Sequence, residues 1–409
     1  MPIRISGSTG ISGLDGSADA PVYAGANTNI GLFVSGNTVN VSATSLAVGN
    51  TVVSNSGVSV GGIAVSQYSG MMKNRIINGD FRIDQRFAGN ANNNIVGAQY
   101  VVDRWYTNGT GAGKLRFQQN NTNGPGQVAT QTATGFSNYF GCNVVSSNTV
   151  NTNDFWFVAQ LVEGLNFADL GWGTANASPV TLSFWTYSSI AGTHGGSIQG
   201  AGGSRAFPFT YSISSANTWE QKVITVPGDS TGTWYSNNNV GISLYFDLGI
   251  GSTYSSSAIN NAWVTAASGK NWPTNVVDVV SAANGSFYLT GVQLEKGSVA
   301  TAFDWRHYTT ELQLCQRYFQ TYTDAYLVIT GTGYNTSAGL QSLFSLNTPM
   351  RVAPTVSISG GNNGGAASSL SANYIGTRHI TWAVNPTSAS TAMYYAWYFT
   401  SSAELAVQN

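Results

Sequence analysis

Side chains able to do acid–base chemistry are sparse in this chain and poorly grouped. The acids Asp154, Glu163, Asp169, Glu220, Asp229, Asp247 and Asp278 are scattered without a shared motif, whereas glycoside hydrolysis needs two carboxylates facing each other across a bond. His194, His307 and His379 lie far apart, and none opens an HExxH or triad pattern. The GTGAG run at Gly109–Gly113 reads as a flexible turn, not a phosphate loop. No catalytic residue is assigned.

Ligand contact is better served by aromatic rings in turn-like contexts. These are Trp172 (GWGT), Trp234 and Tyr235 (TGTWYSNN), Trp263, and Trp272 (GKNWPT). Flat rings with a few fixed polar groups beside them make the generic small-ligand site. Each ring also suits anchoring its loop to a core, and the sequence leaves both readings open. The run Met393–Phe399 (MYYAWYF) carries aromatics on both faces of a strand, which suits burial between subunits.

The elements that position these residues follow from composition. Of 409 residues only 33 (16 basic plus 17 acidic) are charged, 8% of the chain against a usual figure of about 25%. Forty-eight glycines and 12% aromatics accompany this low charge, which excludes coiled coils and helical bundles. An apolar content of 42% supplies a core, so general disorder is excluded too. A net charge of −1 leaves no footprint for nucleic acid. No apolar run reaches the roughly 18 residues of a membrane helix, and Cys142 and Cys315 are too few for a disulfide scaffold or a zinc site. An all-β protein is the expectation.

Residues 1–70 contain no Trp and show short alternating strands, such as Val39–Val41, Leu46–Val48 and Val58–Val60. NTVNVSATSLAVG from Asn37 and NTVVSNSGVSVGG from Asn50 form a near-repeat with one residue slipped. Burying a few small side chains falls short of the cost of ordering such a unit, so it needs neighbours. The expectation is a trimeric β-stem intertwined with sister chains. From Met71 to Tyr308, strand-like segments alternate with Asn/Gly/Ser turns, among them Lys114–Gln118, Thr181–Tyr187, Phe207–Ile213, Glu220–Val226, Gly241–Leu248 and Ser286–Leu294. In VTLSFWTYS, Val180, Leu182, Phe184 and Thr186 share one face, the period of a sheet with a buried side. Many short strands of this kind predict a jelly-roll sandwich over 71–308. A linking helix is expected over 309–320, with Thr310 and Gln313 as a capping box and apolar stripes at Leu312/Cys315/Phe319 and Leu314/Tyr318. Residues 321–409 predict a small C-terminal β-domain with strands at Ala325–Thr330, Gln341–Leu346, Thr355–Ser359, His379–Val384 and Met393–Thr400, and a long loop over Gly360–Ser369.

Two stretches carry a family resemblance. Lys73–Arg86 (KNRIINGDFRIDQR) with Tyr100–Tyr106 (YVVDRWY), and Leu289–Ser298 (LTGVQLEKGS) running through Ala300–Asp304 into Leu314–Phe319 (LCQRYF), together resemble bacteriophage tail-fibre and related receptor-binding proteins. Thr348–Val356 (TPMRVAPTV) is similar to the segment that follows in those proteins. The resemblance covers roughly 71–356 and does not extend to 1–70.

The resemblance implies a homotrimeric fibre in the virion, on the phage tail. Its jelly-roll domain would be similar to carbohydrate-binding modules and its partner a glycan of the host surface; other phage tail proteins would be reached through the N-terminus. It also implies a structural calcium with Asp80 and Glu295 as ligands; the alternative is a tight turn at Asn78-Gly79-Asp80 and pairing of Glu295 with Arg82 or Arg86. For Asp103-Arg104-Trp105 the expectation is structural: Trp105 in the core, the charges paired across a turn. The expected function is a non-enzymatic adhesin working by multivalent binding; its rivals are a tailspike depolymerase and a purely structural head fibre or tail connector.

Overall fold

The computed structural model describes residues 73–92, 97–200, 204–255, 260–265, 271–322, 341–358, 370–384 and 399–405 in full, and elsewhere the backbone of named strands. The chain divides into two compact units, Met1–Gln67 and Tyr68–Asn409.

In the first unit β1 (Tyr23–Ala24) pairs with β2 (Asn29–Ile30), and β3 (Phe33–Ser35) with β4 (Thr38–Asn40). Four strands, β5 (Ser45–Val48), β6 (Thr51–Ser54), β7 (Gly57–Val60) and β8 (Ile63–Val65), form an antiparallel meander in chain order. The near-repeat reappears as strand spacing: β4 and β5 occupy the first copy where β6 and β7 occupy the second.

The second unit opens with a sandwich. Its strands are β9 (Gln99–Val102), β10 (Trp105–Gly109), β11 (Leu115–Gln119), β12 (Phe140–Val144), β13 (Phe155–Glu163), β14 (Val180–Ser188), β15 (Gly192–Gly200), β16 (Arg205–Ile213), β17 (Glu220–Val226), β18 (Val240–Ile250), β19 (Val264–Thr265) and β20 (Ser286–Lys296). One sheet has seven strands in the order β19-β16-β15-β18-β13-β10-β9; the other has five, β11-β12-β20-β14-β17. Every pairing is antiparallel. The core lies between the sheets, where Phe117, Phe140, Leu182, Phe184, Phe287 and Leu294 of one meet Trp105, Trp156, Phe209, Leu244, Phe246 and Leu248 of the other. Alternation of side chains across each strand drives this arrangement.

A helix missing from the sequence reading, α1 (Gln127–Thr134), follows β11 and ends at Gly135 in the left-handed conformation. The expected second helix is present as α2 (Tyr308–Gln316). Its capping box is not formed: the helix begins at Tyr308, so Thr310 and Gln313 lie inside it, and His307 is the cap residue without a side-chain bond. Cys315 and the following Tyr318 are buried against Tyr106, Phe157, Leu161 and Tyr245 on the outer face of the seven-stranded sheet.

Beyond α2 come β21 (Phe319–Tyr322), β22 (Gly331–Thr332), β23 (Leu340–Ser345), β24 (Thr355–Gly365), β25 (Ala367–Ile375), β26 (His379–Pro386) and β27 (Ala392–Ser402). They form two small sheets around a separate core of Tyr322, Leu346, Met350, Ile380, Trp382 and Phe399. The expected loop at Gly360–Ser369 is instead largely strand, because β24 runs to Gly365 and β25 resumes at Ala367. Backbone pairing with β27 overrides the glycine-rich composition there. The expected strand at Ala325–Thr330 and the side chains of Met393–Tyr398 lie outside the described residues.

An ionic junction ties this part to the sandwich. Arg86 (2.7 Å) and Arg104 both pair with Glu404, and Arg104 lies over the Tyr318 ring at 3.6 Å. Arg317 and the Tyr318 hydroxyl donate to Glu163, each at 2.7 Å.

Candidate functional site

The two resemblance-bearing stretches meet in space and form a structural seam. Asn74 accepts from the Ile76 and Leu294 amides and donates to the Val292 carbonyl. Gly79 packs directly on β20, where a Cβ would stand 2.1 Å from the Val292 oxygen. Asn78 bridges Ile83 and the Asp103 carbonyl, and its own carbonyl accepts the Trp105 indole N–H.

Asp80 and Glu295 have separate partners on this seam. Asp80 pairs with Arg82 at 2.9 Å. Burial pushes its carboxyl up to about 6, opposed by Arg82 and reinforced by Glu311. Glu295 accepts from the Thr301 amide and hydroxyl and from Gln293; it pairs with neither Arg82 nor Arg86. Among the described residues no three His, Cys, Asp or Glu side chains gather to hold an ion. Trp105 is buried in the core as expected. The charges beside it do not pair with each other: Asp103 accepts from Gln85, and Arg104 reaches Glu404.

Three of the five turn-borne aromatics come together. Trp172, Trp234 and Trp263 pack edge-to-face with centroids 4.8–5.5 Å apart at one corner of the sandwich. Each indole N–H donates to a loop carbonyl: Ser178, Thr231 and Pro227 respectively. Arg205 grips Asp229 with two bonds (2.6 and 2.9 Å) beside them. Their polar edges are spent within the protein, which is the chemistry of an anchor. Tyr235 stands next to this corner with 43% of its surface exposed. Trp272 is elsewhere, buried against Phe157 and Tyr245 on the seven-stranded sheet.

A different aromatic group lies on the outer face of the five-stranded sheet. In β14 the inward residues are Val180, Leu182 and Phe184, so alternation turns Trp185 and Tyr187 outward. Both are half-buried, resting on a layer of Tyr139, Trp219 and Tyr288. Tyr288 pairs with Gly141 across the sheet, and a Cβ at Gly141 would meet its ring at 2.8 Å. A side chain there would collide with the ring and with the β20 backbone.

The polar groups of this platform are ordered from below. Asn143 accepts from the Tyr288 hydroxyl (2.8 Å) and from Asn121 (2.5 Å). The Tyr187 hydroxyl donates to Asn217, and Trp219 donates to Thr130 of α1. Unlike the corner tryptophans, Trp185 makes no hydrogen bond through its indole N–H among the described residues. A second ring stack, the exposed Trp305 on Phe136 at 4.9 Å, sits near the β20 bulge at Gly291. The signal for Trp185 and Tyr187 stood in VTLSFWTYS all along, on the face opposite the apolar one.

No family model matches the chain, and no curated protein matches it. Among solved structures it is similar to the enzymatically active domain of tailspike protein 4 of bacteriophage CBA120, at 12% identity and a TM-score of 0.29, covering 55% of this chain and 21% of that one. The matched part thus spans about a fifth of the tailspike's length. It is also similar to the family 11 carbohydrate-binding module of a Clostridium thermocellum cellulase, at 13% identity and a TM-score of 0.24, covering 52% of this chain and 99% of that one. A third is a family 61 carbohydrate-binding module in complex with β-1,4-galactotriose, at 9% identity and a TM-score of 0.23, covering 47% and 88%. The chain is a two-sheet β-sandwich protein whose five-stranded sheet carries aromatic rings on its outer face.

Proposed function

We propose that this protein is a phage tail-fibre adhesin that attaches to a host by non-catalytic, multivalent binding of surface polysaccharide. The observation that carries this reading is the platform of Trp185 and Tyr187. Its half-buried rings offer an apolar surface to a pyranose, and the neighbouring amides and the Trp185 N–H stand ready for hydroxyl groups. The first unit supports an extended stem, since its short hairpins need sister chains to complete a core. Three platforms on one such stem gain by effective concentration where one contact is weak.

A glycan array probed with the full chain tests this. Binding to one class of polysaccharide is expected, reduced at least about tenfold by Trp185→Ala with Tyr187→Ala. Retained binding in that double variant removes the platform from the reading, and new reducing ends released from the polysaccharide would overturn the non-catalytic part. Light scattering is expected to give three times the 43.0 kDa chain mass; a stable monomer removes the stem.

A further inference from the structure

Cations are scarce in this chain and most are used. Arg75, Arg82, Arg86, Arg104, Arg205, Lys222, Lys296, Arg306 and Arg317 all pair with carboxylates. On β11 the pattern differs. Leu115 and Phe117 point into the core, so Arg116 shares the outer face with the platform, and Lys114 lies just before the strand at the same end. Neither pairs with a carboxylate among the described residues. Arg116 donates one bond, to Gln118 at 3.1 Å, and its Nε is buried without a partner. Arg116 pairs across the sheet with Asn143, which places the guanidinium at the end of the aromatic strip.

The free charged groups described on this face are cations. Among its side-chain acceptors Asn143 takes two bonds, Asn217 takes the Tyr187 hydroxyl and Gln118 takes Arg116, while the exposed Gln221 amide stands opposite Trp185. Available to a ligand are the Arg116 guanidinium, the Lys114 ammonium, the Asn143 and Gln221 amides and the Trp185 indole N–H. On β17 the outer-face partner of Trp185 is Gln221, while Glu220 and Lys222 pair with Thr186 and Phe184 on the opposite face and with each other at 2.6 Å. A surface whose two unpaired charges, among the described residues, are cations fits a ligand that carries negative charge. Arg116 stands three strand spacings, about 14 Å, from β14 and, through Asn143 and Ser286, two residues along the sheet from the Tyr187–Tyr288 pair, a separation that a short oligosaccharide spans.

We infer that the outer face of the five-stranded sheet selects an acidic saccharide, with Lys114 and Arg116 holding a sugar carboxylate while Trp185 and Tyr187 carry the ring. This rests on the saccharide-binding reading above and sharpens it. The charge assignment makes specific demands on salt and on the two cations, because a half-exposed ion pair weakens as screening rises.

The test uses the full chain and an array of uronic-acid polysaccharides, each beside its carboxyl-reduced form. The acidic member of a pair is expected to bind roughly tenfold tighter in low salt, the gap closing in about 0.5 M salt. Lys114→Gln with Arg116→Gln is expected to remove the preference for the acidic member, leaving both members bound alike, with an unchanged melting temperature. Equal binding of both members, or an unaffected preference in the double variant, overturns the acidic assignment while the saccharide reading stands. Failure of the folded wild type to bind any member of the array overturns both.

Discussion

The sandwich presents two outer faces, both rich in aromatic rings, and they have opposite fates. On the seven-stranded sheet Tyr106, Phe157, Tyr245 and Trp272 are covered by α2, Tyr318 and Leu405. On the five-stranded sheet Trp185 and Tyr187 rest on a buried layer, and the described chain leaves them half open. Composition does not separate the faces. What separates them is which one the chain folds back upon, and the polar groups follow: the covered face closes its ion pairs within the protein, while the open face keeps donors and cations unspent.

The cover is the first thing to break. Arg104→Ala leaves Glu404 facing Arg86 alone in a buried junction, and removing one partner of a buried pair typically costs about 3–5 kcal/mol. Urea unfolding should show that loss, and a change under about 1 kcal/mol would mean the junction does not hold the cover in place. Next in size is Trp272→Ala on the covered face, expected to cost about 3–4 kcal/mol by chemical denaturation while saccharide affinity in the folded protein stays as it was. Trp185→Ala on the open face should do the reverse: about 1–2 kcal/mol of stability from half-buried surface, with the affinity loss outweighing it. If both tryptophans behave alike in the two measurements, the faces do not differ in the way described.

The smallest expected effect is one of pH. Asp247 pairs with Phe157 across the strands and so shares its covered face. Burial pushes its carboxyl well above the ordinary range, the Gly249 amide opposes this, and Asp278 adds to it. Because the folded state holds this proton more tightly than the unfolded chain, the group favours folding below about pH 4 and loses that contribution as pH rises. One carboxylate oxygen accepts from Gly249 and the other has no partner among the described residues, so nothing there offsets the cost of ionising it. Asp247→Asn should therefore be more stable than wild type at pH 8, by about 1–2 kcal/mol, with the gap closing towards pH 4. A constant gap across pH would show that Asp247 is ionised in the fold.

Much of the architecture was legible in the chain. Glu220–Val226 and Ser286–Leu294 carry the apolar residues that sheets bury, and the structure places β17 and β20 there. Other elements were opaque for definite reasons. Strand β15 (GTHGGSIQG) has almost no strand propensity and exists because β16 and β18 pair on either side of it. Helix α1 is threonine-rich with little apolar periodicity, and only the glycines at its ends announce it. The capping box at Thr310 failed because two earlier residues joined the helix, and Glu311 turned to Arg306 and the Asn78 amide instead.

The candidate site divides in the same way. Period-two alternation in VTLSFWTYS by itself determined that Trp185 and Tyr187 oppose the core, since the pleat alternates whatever the rest of the fold does. Turn context marked Trp172, Trp234 and Trp263 as special. Only the tertiary structure decided that their indole N–H groups are consumed by loop carbonyls while that of Trp185 is not. The reason is physical: a ring's identity is local, but its hydrogen-bond partners and its cover come from residues dozens to hundreds of positions away, and no spacing along the chain encodes them.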